Sequence, residues 1–285
     1  YSGWTILALA ERASRMALRF PKHQITWKPD LLVPIDNPII WAGPLLFIRS
    51  ITYPSGSIFA FTIKENEIEQ TRDALEKLVK PLGEAKIHVN CSVIEDSSFI
   101  HGAKLVIQTL KAGTFQPNIL FLTVGQDDDS DKVLLQLTDE SAKHKLGCVI
   151  LRQHPRMAFG MQKVINLWLR DQSPNWHLAM LIALQIQLNW DGRINLITVT
   201  KKKEDEKKYY HFLDRISDQA RLPSTTELRV IIGTFEEALQ NAPRGDINIL
   251  GLGDKIDFNF LRSSAELSNS SCLFVQDSGG ENVLV

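Results

Sequence analysis

Cysteine is scarce in this sequence, and neither sign of charge is in excess. Three of the 285 residues are cysteine, an odd number without paired spacing, which argues against a disulfide framework and favours a reducing compartment. Lysine and arginine together number 32, aspartate and glutamate 33, and the formal net charge is -1. We therefore expect no nucleic-acid partner, because binding to a polyanion requires a basic surface.

Long uncharged apolar stretches are also missing. A membrane-spanning helix needs about 18 or more consecutive apolar residues, and no segment provides them, so we expect these residues to stay out of the bilayer. The chain begins at Tyr1 without a methionine, and basic residues follow its first apolar stretch rather than precede it. That order is not the order of a cleavable signal. We therefore expect the sequence to be a piece of a longer protein.

The short motifs that mark common active sites are absent. The sequence has no GxxxxGK(S/T) phosphate loop, no GxGxxG opening a helix, no GxSxG nucleophile elbow, no HExxH and no paired CxxC. Its seven histidines are scattered without the spacing of metal ligands. We therefore expect no enzyme activity, no catalytic residue, no cofactor and no metal site.

The sequence does contain one long apolar segment near its middle. Val164–Leu169 and Ile194–Val199 are apolar runs of strand length, and the helix predicted between them, Asn175–Trp190, has no charged residue. Apolar side chains lie around its whole circumference, so one side can rest on its own sheet while the other needs a neighbour. That neighbour is the opposite half of the chain, a second copy or a separate domain. The interface candidates are Trp176, Met180, Leu181, Leu184, Leu188 and Trp190.

Apolar runs alternate with helical segments along most of the chain. Strands are expected at 31–35, 57–63, 87–94, 118–124, 147–152, 164–169, 194–199, 227–233, 246–251 and 272–276. Helices are expected at 38–51, 67–82, 99–111, 132–145, 175–190, 204–220, 235–242 and 258–267. Strands joined by right-handed helical crossovers run parallel, and nearly continuous apolar strands are typical of a sheet covered on both faces.

The series of strands and helices repeats once. Pro117–Leu122 resembles Ile247–Leu252, and the other strands align at similar offsets. We therefore predict an α/β fold of two tandem doubly wound, mostly parallel five-stranded sheets packed together. The predicted domains are an N-terminal connector helix within 1–26, a first half at 27–155 and a second half at 156–285.

Two glycine-containing loops follow predicted strands at the end of the sheet where such folds bind ligands. Gly125–Asp131 is rich in aspartate; a divalent cation is one interpretation, and favourable contact of acids with a helix N-terminus is the commoner one. Gly251 and Gly253 form a two-glycine turn, which is either a weak nucleotide-binding candidate or an ordinary strand-to-helix turn.

Several short segments, in order, resemble the C-terminal domain of prokaryotic cation-chloride cotransporters, which are membrane transporters of the amino acid/polyamine/organocation superfamily. The segments are Tyr1–Trp4 before the first helix, Trp27–Val33, the proline-asparagine step Pro117–Leu120, Asn166–Gln172, and the leucine-rich helix from Asn175 to Trp190. The resemblance spans nearly the full chain.

This resemblance implies a function as well as a fold. It implies two halves similar to universal stress proteins, forming a regulatory, non-catalytic domain at the cytoplasmic face of the cell membrane. The implied partners are the transporter's own transmembrane domain and a second copy of the chain. The alternative is a nucleotide-binding sensor of the universal stress type, since some such domains bind ATP through a glycine-rich loop after the fourth strand.

Overall fold

The computed structural model describes residues 27–112, 116–126, 128, 130–171, 173 and 176–283. The connector helix predicted within 1–26 lies outside these residues. Every predicted strand is present in the described part, and no strand boundary differs by more than one residue from the prediction. The strands are β1 (Asp30–Pro34), β2 (Ser57–Lys64), β3 (His88–Glu95), β4 (Ile119–Thr123), β5 (Gly147–Arg152), β6 (Val164–Trp168), β7 (Arg193–Thr200), β8 (Glu227–Ile232), β9 (Ile247–Gly251) and β10 (Ser271–Gln276).

The predicted helices are also present in the described residues. The segment predicted at 38–51 is a 3-10 turn (Pro38–Trp41) followed by an α-helix that begins at Ala42. A second 3-10 turn (Lys203–Asp205) precedes the helix that begins at Glu206. None of the described helices is long and apolar enough to cross a membrane. The helices are α1 (Ala42–Thr52), α2 (Ile68–Glu84), α3 (Phe99–Ala112), α4 (Asp131–Lys143), α5 (Trp176–Trp190), α6 (Glu206–Gln219), α7 (Phe235–Asn241) and α8 (Phe258–Ser268).

The two predicted halves are two copies of one topology. The strand order across the sheet is β3-β2-β1-β4-β5-β10-β9-β6-β7-β8, so each half contributes five strands in the same internal order. Within each half all neighbouring strands are parallel. The prediction of two doubly wound, mostly parallel five-stranded units is confirmed.

The halves join edge to edge, so the two predicted sheets are the two ends of one continuous sheet. Strands β5 and β10 pair antiparallel, with Ile150 opposite Phe274. This pairing relates the halves by an approximate two-fold axis. It could not be predicted from composition, because β5 and β10 are buried along nearly their whole length and their apolar residues suit a central strand in either arrangement.

Among the described residues, four helices cover each face of the sheet. Helices α1, α2, α5 and α6 contribute to one apolar core, and α3, α4, α7 and α8 to the other. Alternate residues of one strand belong to different cores: Leu31 and Val33 to the first, Leu32 to the second. Side chains of a strand alternate between faces, so two covered faces account for the nearly continuous apolar runs.

A row of buried asparagines crosses the second half of the sheet. Asn166 lies beside Asn195 of β7 and Asn248 of β9 in the strand register. Asn195 Nδ2 donates to Asn166 Oδ1 at 2.7 Å. Asn248 Oδ1 accepts from Trp168 Nε1 at 2.9 Å and from Asn166 Nδ2 at 3.2 Å. These bonds satisfy both amide atoms of Asn166, the Asn248 oxygen and the Trp168 indole N–H, which would be costly to bury alone. Asn195 Oδ1 has no hydrogen-bond partner among the described residues.

The cysteines are free thiols. Cys148 and Cys272 are fully buried, and burial raises their pKa values to about 11 and about 12. A thiol with so high a pKa is not a thiolate nucleophile at neutral pH. Both side chains therefore serve as small core residues, as their positions in apolar runs suggest.

Candidate functional site

Helix α5 lies between its own sheet and α1 of the first half. Its inner side chains belong to the first core. The Trp190 ring meets Phe47 of α1 edge-on, with ring centroids 6.3 Å apart, and Phe47 stacks on Phe159 at 4.6 Å. The opposite half of the chain is thus the neighbour that covers much of this helix.

Polar side chains of α5 bind the C-terminal end of α1. Trp190 Nε1 donates to Ser50 Oγ at 2.8 Å. Asn189 Nδ2 donates to the carbonyl oxygens of Ser50 and Tyr53 at 2.7 and 2.8 Å, and Gln185 Nε2 also donates to the Tyr53 carbonyl. The last carbonyls of a helix lack partners within the helix, so α5 stabilises the end of α1 directly.

The six interface candidates differ in how far each side chain is buried. Met180 and Trp190 are buried within this chain. Of the neighbours that the sequence leaves open, the chain itself covers these two side chains. Trp176, Leu181 and Leu184 are half-buried, and Leu188 is 67% exposed.

An apolar surface remains on the outside of the α1 and α5 pair. Leu46 of α1 is 65% exposed, and α5 adds Leu181, Leu184 and Leu188 at helical spacing. We call these four residues the outer leucine face. Sequence reasoning missed Leu46, because the segment around it reads as a buried helix; its exposure depends on how α1 packs against α5.

The aspartate-rich loop of the first half is bound by an arginine of the second half. Arg262 of α8 forms ion pairs with Asp128 at 2.9 Å and with Asp131 at 2.6 Å, and its Nε donates to the Gly125 carbonyl at 3.2 Å. Asp131 is also in the first turn of α4, where the helix dipole favours an acid. Arg262 therefore already compensates part of the negative charge of this loop, and no sequence pattern links Arg262 to it.

No group of three or more histidine, cysteine, aspartate or glutamate side chains within the described ranges is arranged to hold a metal ion. Gly251 is the last residue of β9 and Gly253 follows it, at the carboxyl ends of the second-half strands, where a cavity opens. A Cβ on Gly253 would lie 3.6 Å from the Lys255 carbonyl oxygen, which is an ordinary contact. The backbone at Gly253 thus does not require glycine.

A half-buried acid, Asp277, lies at the start of α5. Leu178 N donates to Asp277 Oδ1 at 3.3 Å, which ties the segment after β10 to the first turn of the helix. Burial, and then the nearby Glu281 carboxylate, raise the pKa of Asp277 to about 7. Burial also lowers the pKa of the adjacent His177.

Replacing Asp277 with asparagine should weaken the pH dependence of stability. Asp277 keeps its proton in the folded chain up to its raised pKa of about 7 but loses it near 3.8 when unfolded. The folded state therefore binds more protons between these values, and its contribution to stability falls as pH rises through this window. Asparagine keeps the acceptor oxygen and cannot ionise. Urea unfolding at about pH 5 and about pH 8 should show a smaller loss for Asp277→Asn than for the wild type. An equal loss in both would contradict the assignment.

Comparisons with known proteins identify the fold. A universal stress protein from Archaeoglobus fulgidus DSM 4304 aligns with a TM-score of 0.57 at 11% identity, covering 88% of this chain and 97% of that one. A putative universal stress protein from Pseudomonas aeruginosa UCBPP-PA14 gives the same TM-score at 12% identity, covering 88% and 94%. At these identities the likeness shows the fold alone: tandem universal-stress-like units.

One solved structure is more similar than these. The crystal structure of the cytoplasmic domain of a prokaryotic cation chloride cotransporter aligns with a TM-score of 0.81 at 27% identity, covering 90% of this chain and 98% of that one. No curated protein matches the sequence.

Two family models together match nearly all of the chain. The first C-terminal domain of prokaryotic cation-chloride cotransporters matches residues 33–159, and the second matches residues 160–284. The chain belongs to the family of prokaryotic cation-chloride cotransporter C-terminal domains. The resemblance noted in the sequence is confirmed. The family is that of a transporter domain and not of a catalytic one.

Proposed function

We propose that this chain is the cytoplasmic regulatory and dimerisation domain of a membrane cation-chloride cotransporter and that it carries out no catalysis. The family match supports the attachment to a transporter, and the similar solved domain is described as cytoplasmic. The proposed partners are the transporter's own transmembrane domain and a second copy of the chain, at the cytoplasmic face of the cell membrane.

The outer leucine face is the observation that carries the dimer proposal. Helix α5 has no charged residue, although the outer side of a helix in an α/β protein normally carries charges. Leu46 and Leu188 are 65% and 67% exposed to solvent. A surface close to the approximate two-fold axis suits a symmetric contact, in which the same patch of both copies meets.

Sedimentation equilibrium tests this proposal. The wild-type chain should form a dimer whose dissociation constant does not depend on ATP. The double variant Leu46→Glu/Leu188→Glu should be monomeric at the same concentration, because burying four carboxylates in a two-fold contact is costly. Both residues are exposed, so the fold should be retained.

A matched control is available on the opposite face of the sheet. Leu105 of α3 and Leu135 of α4 are 46% and 42% exposed, and glutamate at these positions should leave the dimer intact. A wild-type chain that remains monomeric at high concentration, or a dimer equally weakened by Leu105→Glu/Leu135→Glu, would overturn the proposed interface. A dimer that forms only with ATP would favour the nucleotide-sensor alternative.

A test of the regulatory part of the proposal requires the full-length transporter. If pairing of this domain controls transport, Leu46→Glu/Leu188→Glu should change the rate of ion uptake at equal protein abundance, whereas Leu105→Glu/Leu135→Glu should not. Unchanged uptake by a transporter whose C-terminal domains no longer pair would contradict a regulatory role for the dimer.

A further inference from the structure

A cavity of about 460 Å³ opens at the carboxyl ends of the second-half strands. It lies beyond β6 and β9, which are neighbours in the sheet. Helix α5 leaves β6 toward one face and α8 leaves β9 toward the other. Such a point of divergence is where open α/β sheets place their ligands. The volume falls within the ~300–1,000 Å³ typical of small-molecule sites.

Aromatic rings line the interior of this cavity. Trp168 meets Phe235 edge-on with centroids 5.5 Å apart. Phe260 lies 5.8 Å from Phe235 and 6.0 Å from Phe274. The indole N–H of Trp168 is already bonded to Asn248, so the ring has no free donor to offer a ligand. The interior therefore suits an apolar body.

Basic side chains outnumber acidic ones at the opening, or mouth, of this cavity. Arg170, Lys201 and Lys255 line the opening together with Glu236 and Asp257. Asp257 is engaged as the N-cap of α8, where it accepts from Phe260 N at 3.2 Å. Arg170, Lys201 and Lys255 form no ion pair with any of the described residues. The mouth thus favours a ligand with a negative charge.

The equivalent cavity of the first half lacks this combination. It measures about 340 Å³ and its charged lining residues are Asp36 and Lys64. Asp36 Oδ1 accepts from Trp41 Nε1 at 3.2 Å. With one acid and one base, that opening has no excess of positive charge. The difference between the repeats points to a ligand of the second half only.

We propose that the second-half cavity binds a small organic carboxylate, with its apolar body among Trp168, Phe235 and Phe260 and its carboxylate at Lys201 and Lys255. A nucleotide fits this arrangement poorly, because a polyphosphate is held by a cradle of backbone N–H groups in a longer glycine-rich loop, and the turn here has only Gly251 and Gly253. The site is on the face opposite the outer leucine face, and the proposal does not depend on dimer formation.

Calorimetric titration of the full chain with 2-naphthoate tests the proposal. We expect one saturable site per chain with a dissociation constant below about 1 mM, as an aromatic carboxylate of this size can reach. The uncharged analogue naphthalene-2-carboxamide should bind about tenfold more weakly or worse, because it lacks the charge that the lysines attract.

Variants locate the site. Lys201→Glu/Lys255→Glu changes two exposed side chains and should weaken naphthoate binding about tenfold or more. Val199→Trp, which places a large ring against the cavity, should abolish it. The matched control is Lys64→Glu at the first-half cavity, which should leave binding unchanged. Circular dichroism checks that each variant is folded, and the lysine variant keeps the test valid if Val199→Trp does not fold.

Three results would overturn the proposal. These are no saturable binding of naphthoate at about 10 mM, binding that is insensitive to both cavity variants, and ATP binding more tightly than naphthoate in the same cavity. Sedimentation equilibrium of the same samples tests the dimer proposal independently of ligand binding. Because these variants leave α1 and α5 unchanged, they should still form the dimer when naphthoate binding is lost.

Discussion

Replacing Trp190 with alanine is expected to lower the free energy of unfolding by about 3–5 kcal/mol. The side chain is only 6% exposed and fills the space between α5 and α1, with Phe47 against its ring. Truncation leaves a cavity between the two halves and removes the donor that binds Ser50 Oγ. The lost packing and the lost buried hydrogen bond both contribute to this cost.

Urea unfolding followed by circular dichroism measures the effect. The control is Leu188→Ala, two residues away on the same helix but 67% exposed, which should change stability by less than about 0.5 kcal/mol in the monomer. Both variants should be measured at concentrations below dimer formation. A cost for Trp190→Ala no greater than that of the control would contradict the position of Trp190 in the shared core.

Replacing Asn248 with leucine is expected to cost about 2–4 kcal/mol. Its Oδ1 accepts from both Trp168 Nε1 and Asn166 Nδ2. Leucine has a similar volume but no acceptor, so the buried indole N–H would lose its partner. Leu120 occupies the matching register position in the first half, which shows that leucine fits the backbone at this place in the repeat.

The control for Asn248→Leu is Asn241→Leu. Asn241 is exposed and its Nδ2 bonds only one carbonyl of its own helix, that of Glu237 at 2.8 Å. The expected change is within about 0.5 kcal/mol. Urea unfolding of both variants compares the two costs. If Asn248→Leu is as stable as the wild type, the asparagine row is not needed for the stability of the second half.

Much of the fold can be predicted from the sequence because it depends on local patterns. Apolar runs such as Val164–Leu169 are continuous where both faces of a strand are buried, and amphipathic helices such as α2 have their apolar residues at helical spacing. The uncharged composition of α5 correctly indicates a helix covered on most sides. Each of these signals lies within one element.

Contacts between distant residues could not be predicted in this way. Trp190 meets Ser50 and Arg262 meets Asp131, in both cases across the two halves. The aromatic cavity is assembled from β6, α7, α8 and β10, and no short motif connects these elements. The exposure of Leu46 depends on the packing of α1 against α5. For the same reason the sequence alone left open whether the opposite half, a second copy or a separate domain covers Met180 and Trp190, which are buried within the chain itself.

The antiparallel pairing of β5 with β10 has a consequence for how such a chain can arise. Two separate copies of a single half could pair through the same strand edge, because two identical edge strands that pair antiparallel are related by a two-fold axis. Joining the copies by the few residues between β5 and β6 makes that association intramolecular, with a high effective concentration. Each copy is then free to diverge. Where the second half has its three buried asparagines, the first half has Leu32, Phe59 and Leu120. Duplication followed by fusion thus allows a symmetric scaffold to carry the proposed binding site in one half only.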